Sequence, residues 1–268
     1  MTAQSAREIA AHLECAWLAP YDNDDARAHS AYYGYHDGDL VRLLETASPT
    51  PFARVAHAAF RTFVLDERFP CLGARAALHR GTYRFGTYER LDDDRVMHGL
   101  MRDLYAFVAE RDGMRSDFTS FIAVFREQVR GGERGFEHAL WSQLQRLHQL
   151  DRRFHDWDHR VCKDPADPNF SFSLAGNAFF IVGMHPRATR RARRFGWPTL
   201  AFNAHEQFET LRADGRFPRL RERIRERDIA LQGSLNGNLT DYGQRSEARQ
   251  YAGRRVEEAW RCPFRPTG

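Results

Sequence analysis

Phe170-Ser171-Phe172-Ser173-Leu174-Ala175-Gly176-Asn177-Ala178-Phe179-Phe180-Ile181-Val182 is the stretch on which the fold turns. Phe170 and Phe172 alternate with serines, the period of a strand with one buried face, whereas Ala178 to Val182 is continuously apolar. Gly176-Asn177 stands between the two runs, so the spacing predicts a β-hairpin. Before it, Asp164-Pro165 and Asp167-Pro168 make a stiff loop; after it, Thr199 to Asn203 is a third strand.

Thr119 to Phe125 is aromatic, β-branched and too short for a typical helix, which predicts a buried strand, and Tyr83 and Phe85 alternate with polar residues in another. Helices fill the intervals. Pro51 opens one carrying Phe52, Val55, Ala59, Phe60 and Phe63; Met97, Leu100, Met101, Leu104 and Val108 mark the next. A helix from Phe136 to Phe154 has Leu140, Leu144 and Leu147 on one stripe and Trp141, Leu144 and His148 on the adjoining one. Asn203-Ala204-His205-Glu206 has capping-box spacing before a helix through Phe208 and Leu211, and Met1 to Trp17 reads as an amphipathic helix. Tyr21 to Asp39 reads as a loop. Strands clustered among helices, with hairpin turns instead of regular crossovers, imply an α+β single domain, a small antiparallel or mixed sheet surrounded by helices.

At 268 residues, 42% hydrophobic and 13% aromatic, the chain has the material for a substantial core. Its net charge of +4 comes almost wholly from arginine, Lys163 being the only lysine, and the arginines alternate with acids over Arg219 to Asp228. That is the pattern of a solvated helix face with local ion pairs, so no nucleic-acid partner is expected. The four cysteines, Cys15, Cys71, Cys162 and Cys262, are scattered and form no CxxC, which argues against structural zinc. No apolar run approaches the ~20 residues of a membrane helix, and the amino terminus lacks the pattern of a signal peptide; the expectation is a soluble cytoplasmic protein.

Histidines, arginines and acids are densest after Pro168. His185 ends an apolar run and precedes Pro186, which suits the first position of a helix bearing Arg190, Arg191, Arg193 and Arg194. It could ligate a metal, or be an N-cap or a hydrogen-bonded core histidine. On that short helix Arg190 and Arg194 would share a face, able to grip carboxylates or phosphates, with the others solvated. His148 lies three residues before Asp151, an acid that could orient its ring, or it is a core-edge histidine. Asp228 shares the apolar stripe of Leu220, Ile224 and Leu231, so it needs a partner, either a structural arginine or a cationic ligand such as a guanidinium. Ser246 to Tyr251 is polar and turn-rich, consistent with an exposed loop.

Through Asp167-Pro168-Asn169-Phe170-Ser171-Phe172, Val182-Gly183-Met184-His185-Pro186, Arg193-Arg194-Phe195, Phe202 to Glu209, Ile224 to Asp228, Gln232-Gly233-Ser234, Ser246 to Tyr251 and Trp260-Arg261-Cys262-Pro263-Phe264, the chain resembles the YqcI/YcgG family. A weaker match runs back through Leu147-His148 and Asp156-Trp157-Asp158 to Phe69-Pro70-Cys71. The resemblance covers about residues 65 to 264 and leaves 1–50 as a variable N-terminal helical extension. Asn236-Gly237-Asn238-Leu239 departs from it, since many relatives are expected to carry Asn-Pro there.

Members of that family with assigned activity are heme-dependent N-hydroxylases of guanidino amino acids, one of them in D-cycloserine biosynthesis. The resemblance therefore implies heme b as cofactor, a guanidino substrate with O2 or H2O2, and oxidation of L-arginine to Nω-hydroxy-L-arginine. It implies an axial histidine, taken here in the order His185, His148, His205, with Arg190 or Arg194 at the propionates and Arg249 and Tyr251 as further cofactor contacts. Asp228, Asp241 or Glu247 would hold the guanidinium. The electron donor is not identified, a homodimer is left open, and the rival reading is a non-catalytic heme sensor or carrier.

Overall fold

The central hairpin forms as β5 (Phe172–Leu174) and β6 (Asn177–Met184), with its turn one residue earlier than expected. Ala175 and Gly176 take φ of 51° and 67°, the left-handed pair that a tight hairpin turn demands, and Asn177 Nδ2 donates back to the Ala175 carbonyl at 2.7 Å. A computed structural model describes residues 19–240 and 242–267. The helix expected over Met1 to Trp17, together with Cys15 and Asp241, lies outside the described residues.

β1 (Tyr33–His36), β2 (Asp39–Arg42), β3 (Tyr83–Tyr88), β4 (Ser120–Phe125), β5, β6 and β7 (Thr199–Ala204) make one sheet in the order β2-β1-β3-β4-β7-β6-β5. Only the central β3–β4 pair is parallel; the other pairs are antiparallel, so the sheet is mixed. The helices are α1 (Asp24–His29), α2 (Pro51–Leu65), α3 (Leu72–Arg80), α4 (Asp94–Arg111), α5 (Gly132–Asp151), α6 (His205–Ala213), α7 (Phe217–Gln232) and the short α8 (Ala248–Tyr251). The α+β reading holds. The parallel step is closed by α4, the crossover that parallel strands require.

Alternation along the strands divides the molecule. Phe85 of β3 meets His57 and Phe60 of α2, while Phe121 of β4 meets Phe107 of α4 at 6.0 Å. Gly183 of β6 faces α5 so closely that a Cβ there would lie 2.7 Å from Phe136, 2.8 Å from Leu140 and 2.8 Å from the Tyr251 carbonyl. One sheet face is thus sealed by α4 and α5. Phe107, Phe121, Phe125 and Phe136 are fully buried there, each contributing about 1.5–3 kcal/mol. The other face, under α2, α3 and α7, keeps a cavity.

Residues 19–50, read from the sequence as part of a variable extension, are built into this domain. Asp103 of α4 accepts from Ser30 Oγ (2.5 Å), the Ala31 amide (2.7 Å) and Tyr88 OH (2.7 Å), tying the segment after α1 to the core. The expected Tyr21–Asp39 loop contains α1 and the first strand of the β1–β2 hairpin. Asp37 and Gly38, at φ of 50° and 90°, make its turn, and Asp-Gly between Tyr35 and Leu40 was the signal in the sequence that marked it. α2 starts as its sequence implies, with Thr50 as N-cap accepting from the Ala53 amide at 3.1 Å and Pro51 in the first turn. Among the described residues no helix is long and apolar enough to cross a membrane.

Candidate functional site

The side chains of β4, β6 and β7 that point away from α4 and α5 form the floor of a cavity of about 330 Å³, within the range of small-molecule sites. Ser120 and Ile122, Phe180, Val182 and Met184, and Ala201 and Asn203 make that floor; Phe60, Val64, Cys71 and Leu78 wall one side, and Leu220, Ile224 and Asp228 of α7 close over it. Most of the lining is apolar. Besides Ser120, Asn203 and Asp228, its polar groups include His205, Tyr242, Glu247, Gln250 and a set of arginines, among them Arg190, Arg193, Arg212 and Arg245.

His205, placed last of the three histidines from the sequence, is the one on the cavity wall. β7 ends at Ala204, so His205 opens α6 at the rim of the sheet face. Its Nε2 lies 3.1 Å from Glu209 Oε1, one helical turn on, while Nδ1 is buried without a hydrogen-bond partner. Burial holds its pKa below the ordinary value, so the ring is neutral near pH 7. With the Nε2 proton directed to Glu209, the lone pair of the neutral imidazole resides on Nδ1. That is the carboxylate-oriented histidine expected of a metal ligand. The Tyr242 ring packs on it, centroid to centroid 4.7 Å. The expected capping box does not form. Asn203 instead accepts from Ser120 Oγ at 2.6 Å and donates to the Phe180 carbonyl, and Glu206 takes the Arg111 guanidinium at 3.1 Å.

The two histidines placed ahead of it lie elsewhere. His185 follows Met184, so strand alternation sends its ring to the opposite face, where it stacks on Phe136 at 4.5 Å; its Nε2 is buried and also lacks a partner. His148 sits among Trp157 and Phe264, and its Nε2 accepts from the Thr267 amide at 3.2 Å. Asp151 does not orient it. That carboxylate accepts from Tyr105 OH (2.6 Å) and from the Ala175 amide (3.0 Å), and so secures the β5–β6 turn.

The arginine cluster is also rearranged. No α-helix follows Pro186: the His185 amide donates to the Arg193 carbonyl at 2.9 Å, closing residues 185–193 into a loop that ends in one tight turn at Arg191–Arg193. Arg190 and Arg194 therefore share no helix face. Arg190 pairs with Asp228 and donates to the Ser234 carbonyl at 2.9 Å, both carboxylate and guanidinium being largely buried. Asp228 thus has the structural arginine that its place on the stripe required, and is not free for a substrate. Arg194 turns outward to the Ala188 and Thr189 carbonyls. Arg249 donates to the Glu257 and Trp260 carbonyls, fastening the C-terminal segment away from the cavity.

Glu247 is the acid the cavity keeps. The stretch expected to be an exposed loop is buried because α8 packs on β6, and it places Glu247 against the floor. Ser171 Oγ (2.7 Å) and Tyr251 OH (2.6 Å) both donate to Oε1. Burial raises its pKa to about 8, so the carboxyl is mostly protonated at neutral pH. Tyr251, expected at the cofactor, is fully buried behind Glu247 and acts by holding that acid. Cys71, at the cavity edge, and Cys262 have thiols raised by burial, the latter to about 12, and neither is a thiolate. Among the described residues no three His, Cys, Asp or Glu side chains gather to hold a bare metal ion.

The family profile of YqcI/YcgG matches residues 60–265. The chain belongs to the YqcI/YcgG family. That span holds β3 to β7 and every cavity-lining residue named above, since Phe60 is its first member and α8 falls inside its end. No curated protein and no solved structure matches the chain. Within the YqcI/YcgG segment, sequence reasoning missed Arg193 as a cavity residue and Glu209 as the partner of His205; the i,i+4 spacing of His205 and Glu209 was the signal for the second.

Proposed function

We propose that this YqcI/YcgG protein is a heme-dependent N-hydroxylase of a guanidino amino acid, with the sheet-face cavity as its site and L-arginine to Nω-hydroxy-L-arginine as its reaction. One observation carries the reading: an apolar cavity wall presents a neutral, carboxylate-oriented histidine with an unpartnered nitrogen together with a buried, protonated acid. The residues fit the cofactor. His205 would hold heme b through Nδ1, a single imidazole being all that a macrocycle-borne iron asks of the chain, and Phe180, Val182, Met184 and Ile122 offer apolar contact. Heme when bound supplies the oxidising chemistry that inserts one oxygen atom into a guanidine N–H bond, from H2O2 with release of water, or from O2 with two electrons and two protons from a donor.

The chain's own part is to bind, orient and exclude water. Glu209 fixes the His205 tautomer. Glu247 would receive the guanidinium on Oε2, since Oε1 is occupied by Ser171 and Tyr251; the arriving cation favours the carboxylate, and the Glu247 proton is released to solvent as the ligand binds. Cofactor and amino acid together need more room than 330 Å³, so the reading requires the cavity to be larger when they are bound.

The test is reconstitution of the full chain with heme, followed by mass spectrometry of products from L-arginine with H2O2 or with O2 and a reductant. A Soret band that His205→Ala abolishes and His185→Ala and His148→Ala retain, with a product one oxygen atom heavier than L-arginine, is the expected result. Absence of a Soret band in the wild type overturns the proposal. A six-coordinate spectrum that L-arginine leaves unchanged, with no product, transfers the chain to the sensor or carrier reading.

A further inference from the structure

Six arginines line the cavity, and Arg193 differs in one respect from three of them, Arg190, Arg212 and Arg245. Arg190 is paired with Asp228, Arg212 with Glu209 and Arg245 with Glu258. Arg193, in contrast, meets neutral carbonyls: Nη1 donates to Gly183 O (2.9 Å) and Tyr251 O (3.3 Å), and Nη2 to Gln250 O (3.3 Å). Among the described residues no carboxylate pairs with it. Cys71, whose negative charge would act on it most strongly, keeps its proton because burial raises its thiol, and Asp228 is already engaged by Arg190.

Resting on the guanidino-acid reading of this cavity, we propose that Arg193 is the carboxylate anchor of the site, a specificity-determining residue that takes an anionic group of the ligand entering the cavity. Arginine suits this role because its fork accepts a carboxylate with two parallel bonds while the remaining N–H groups stay on the backbone. Those carbonyls hold the fork in place before the ligand arrives: Gly183 belongs to β6, and Gln250 and Tyr251 belong to α8, which also carries Glu247 at its start. The anchor and the acid that would meet the guanidinium are therefore set by one short helix. Burial depresses the Arg193 pKa to about 10, the direction of a cation without an anion beside it, yet leaves it charged at neutral pH. A partner carboxylate would remove that penalty.

The carboxylate can come from the amino acid or from a heme propionate, and the experiment separates the two. Binding to the full-length wild type is measured by calorimetry for L-arginine, agmatine (the same guanidine without the carboxylate) and L-citrulline (the carboxylate with a neutral ureido group), and by absorbance for heme and its dimethyl ester. A substrate anchor predicts agmatine weaker than L-arginine by about tenfold to a hundredfold. A propionate anchor predicts the same loss for the heme diester, with agmatine unaffected. In Arg193→Gln and Arg193→Lys, checked for folding by circular dichroism, whichever ratio was large falls toward one, Lys keeping part of it. The wild-type ratios need no variant, so an unfolded Arg193→Gln leaves the test intact. Ratios near one for both pairs in the wild type, or ratios unchanged in folded variants, overturn the anchor. L-citrulline binding as tightly as L-arginine removes the guanidine reading and leaves the anchor standing; agmatine and the diester both binding at full strength does the reverse.

Discussion

Glu247→Gln is the substitution that most directly examines the electrostatics of the cavity. The amide keeps an oxygen where Ser171 and Tyr251 donate and cannot ionise, so the two proteins differ in titration and little else. In the unfolded chain Glu247 titrates at its ordinary 4.5; in the folded protein it does so at about 8. Below pH 4.5 it is protonated in both states and costs nothing. Between 4.5 and 8 the unfolded chain has lost the proton that the folded chain keeps, so unfolding releases a proton and stability falls as pH rises. Above 8 both are ionised and the loss is complete. The gap of 8 − 4.5 = 3.5 pH units corresponds to about 5 kcal/mol, at a slope of about 1.4 kcal/mol per unit. Unfolding in urea at several values from pH 4.5 to 8.5, followed by the fluorescence of the five tryptophans, measures the difference between wild type and variant. Urea is the right denaturant because guanidinium salts would carry the proposed ligand cation. The variant should gain on the wild type steadily from pH 5 to 8. A difference that stays flat across that window means Glu247 titrates as it does in water, which would refute both its burial and its role as a proton-bearing acid of the site.

Other perturbations reach the framework around that site. Asp228→Ala strands the largely buried Arg190 guanidinium and should cost about 3–5 kcal/mol in urea unfolding, while Asp228→Leu combined with Arg190→Met recovers most of it; equal losses in single and double variants would contradict the pairing. Asp103→Ala leaves Ser30 Oγ, the Ala31 amide and Tyr88 OH without their acceptor, at about 1–3 kcal/mol for each buried group, and amide exchange should quicken first over α1, β1 and β2. Gly183→Ala drives a methyl against Phe136, Leu140 and the Tyr251 carbonyl, lowering stability by about 1–3 kcal/mol and, through α8, weakening any ligand held at Glu247. Glu209→Gln should leave the fold unchanged but loosen the His205 tautomer, weakening heme retention by about tenfold to a hundredfold in a competition with apomyoglobin.

Sequence by itself determined the elements whose hydrophobic pattern is long or repetitive. The β5–β6 hairpin, β3, β4, β7 and helices α2, α4, α5 and α7 all stand where apolar spacing and turn residues put them, because period and length are local properties. It also required a partner for Asp228, since an acid on an apolar stripe is costly wherever the helix packs. Short elements escaped: α1, α3 and the β1–β2 hairpin hold few apolar residues each and are stabilised by distant groups such as Asp103. The site was decided by tertiary structure alone. His185 and His205 are both flanked by apolar strands in the sequence, yet strand alternation sends the first to Phe136 and the end of β7 sends the second to the cavity. Whether Arg190, Arg193 or Arg194 faces a ligand depended on a loop closed by a backbone bond between residues 185 and 193, and whether Glu247 is charged depended on burial beneath α8. Both are set by groups far apart in the chain, which no local spacing records.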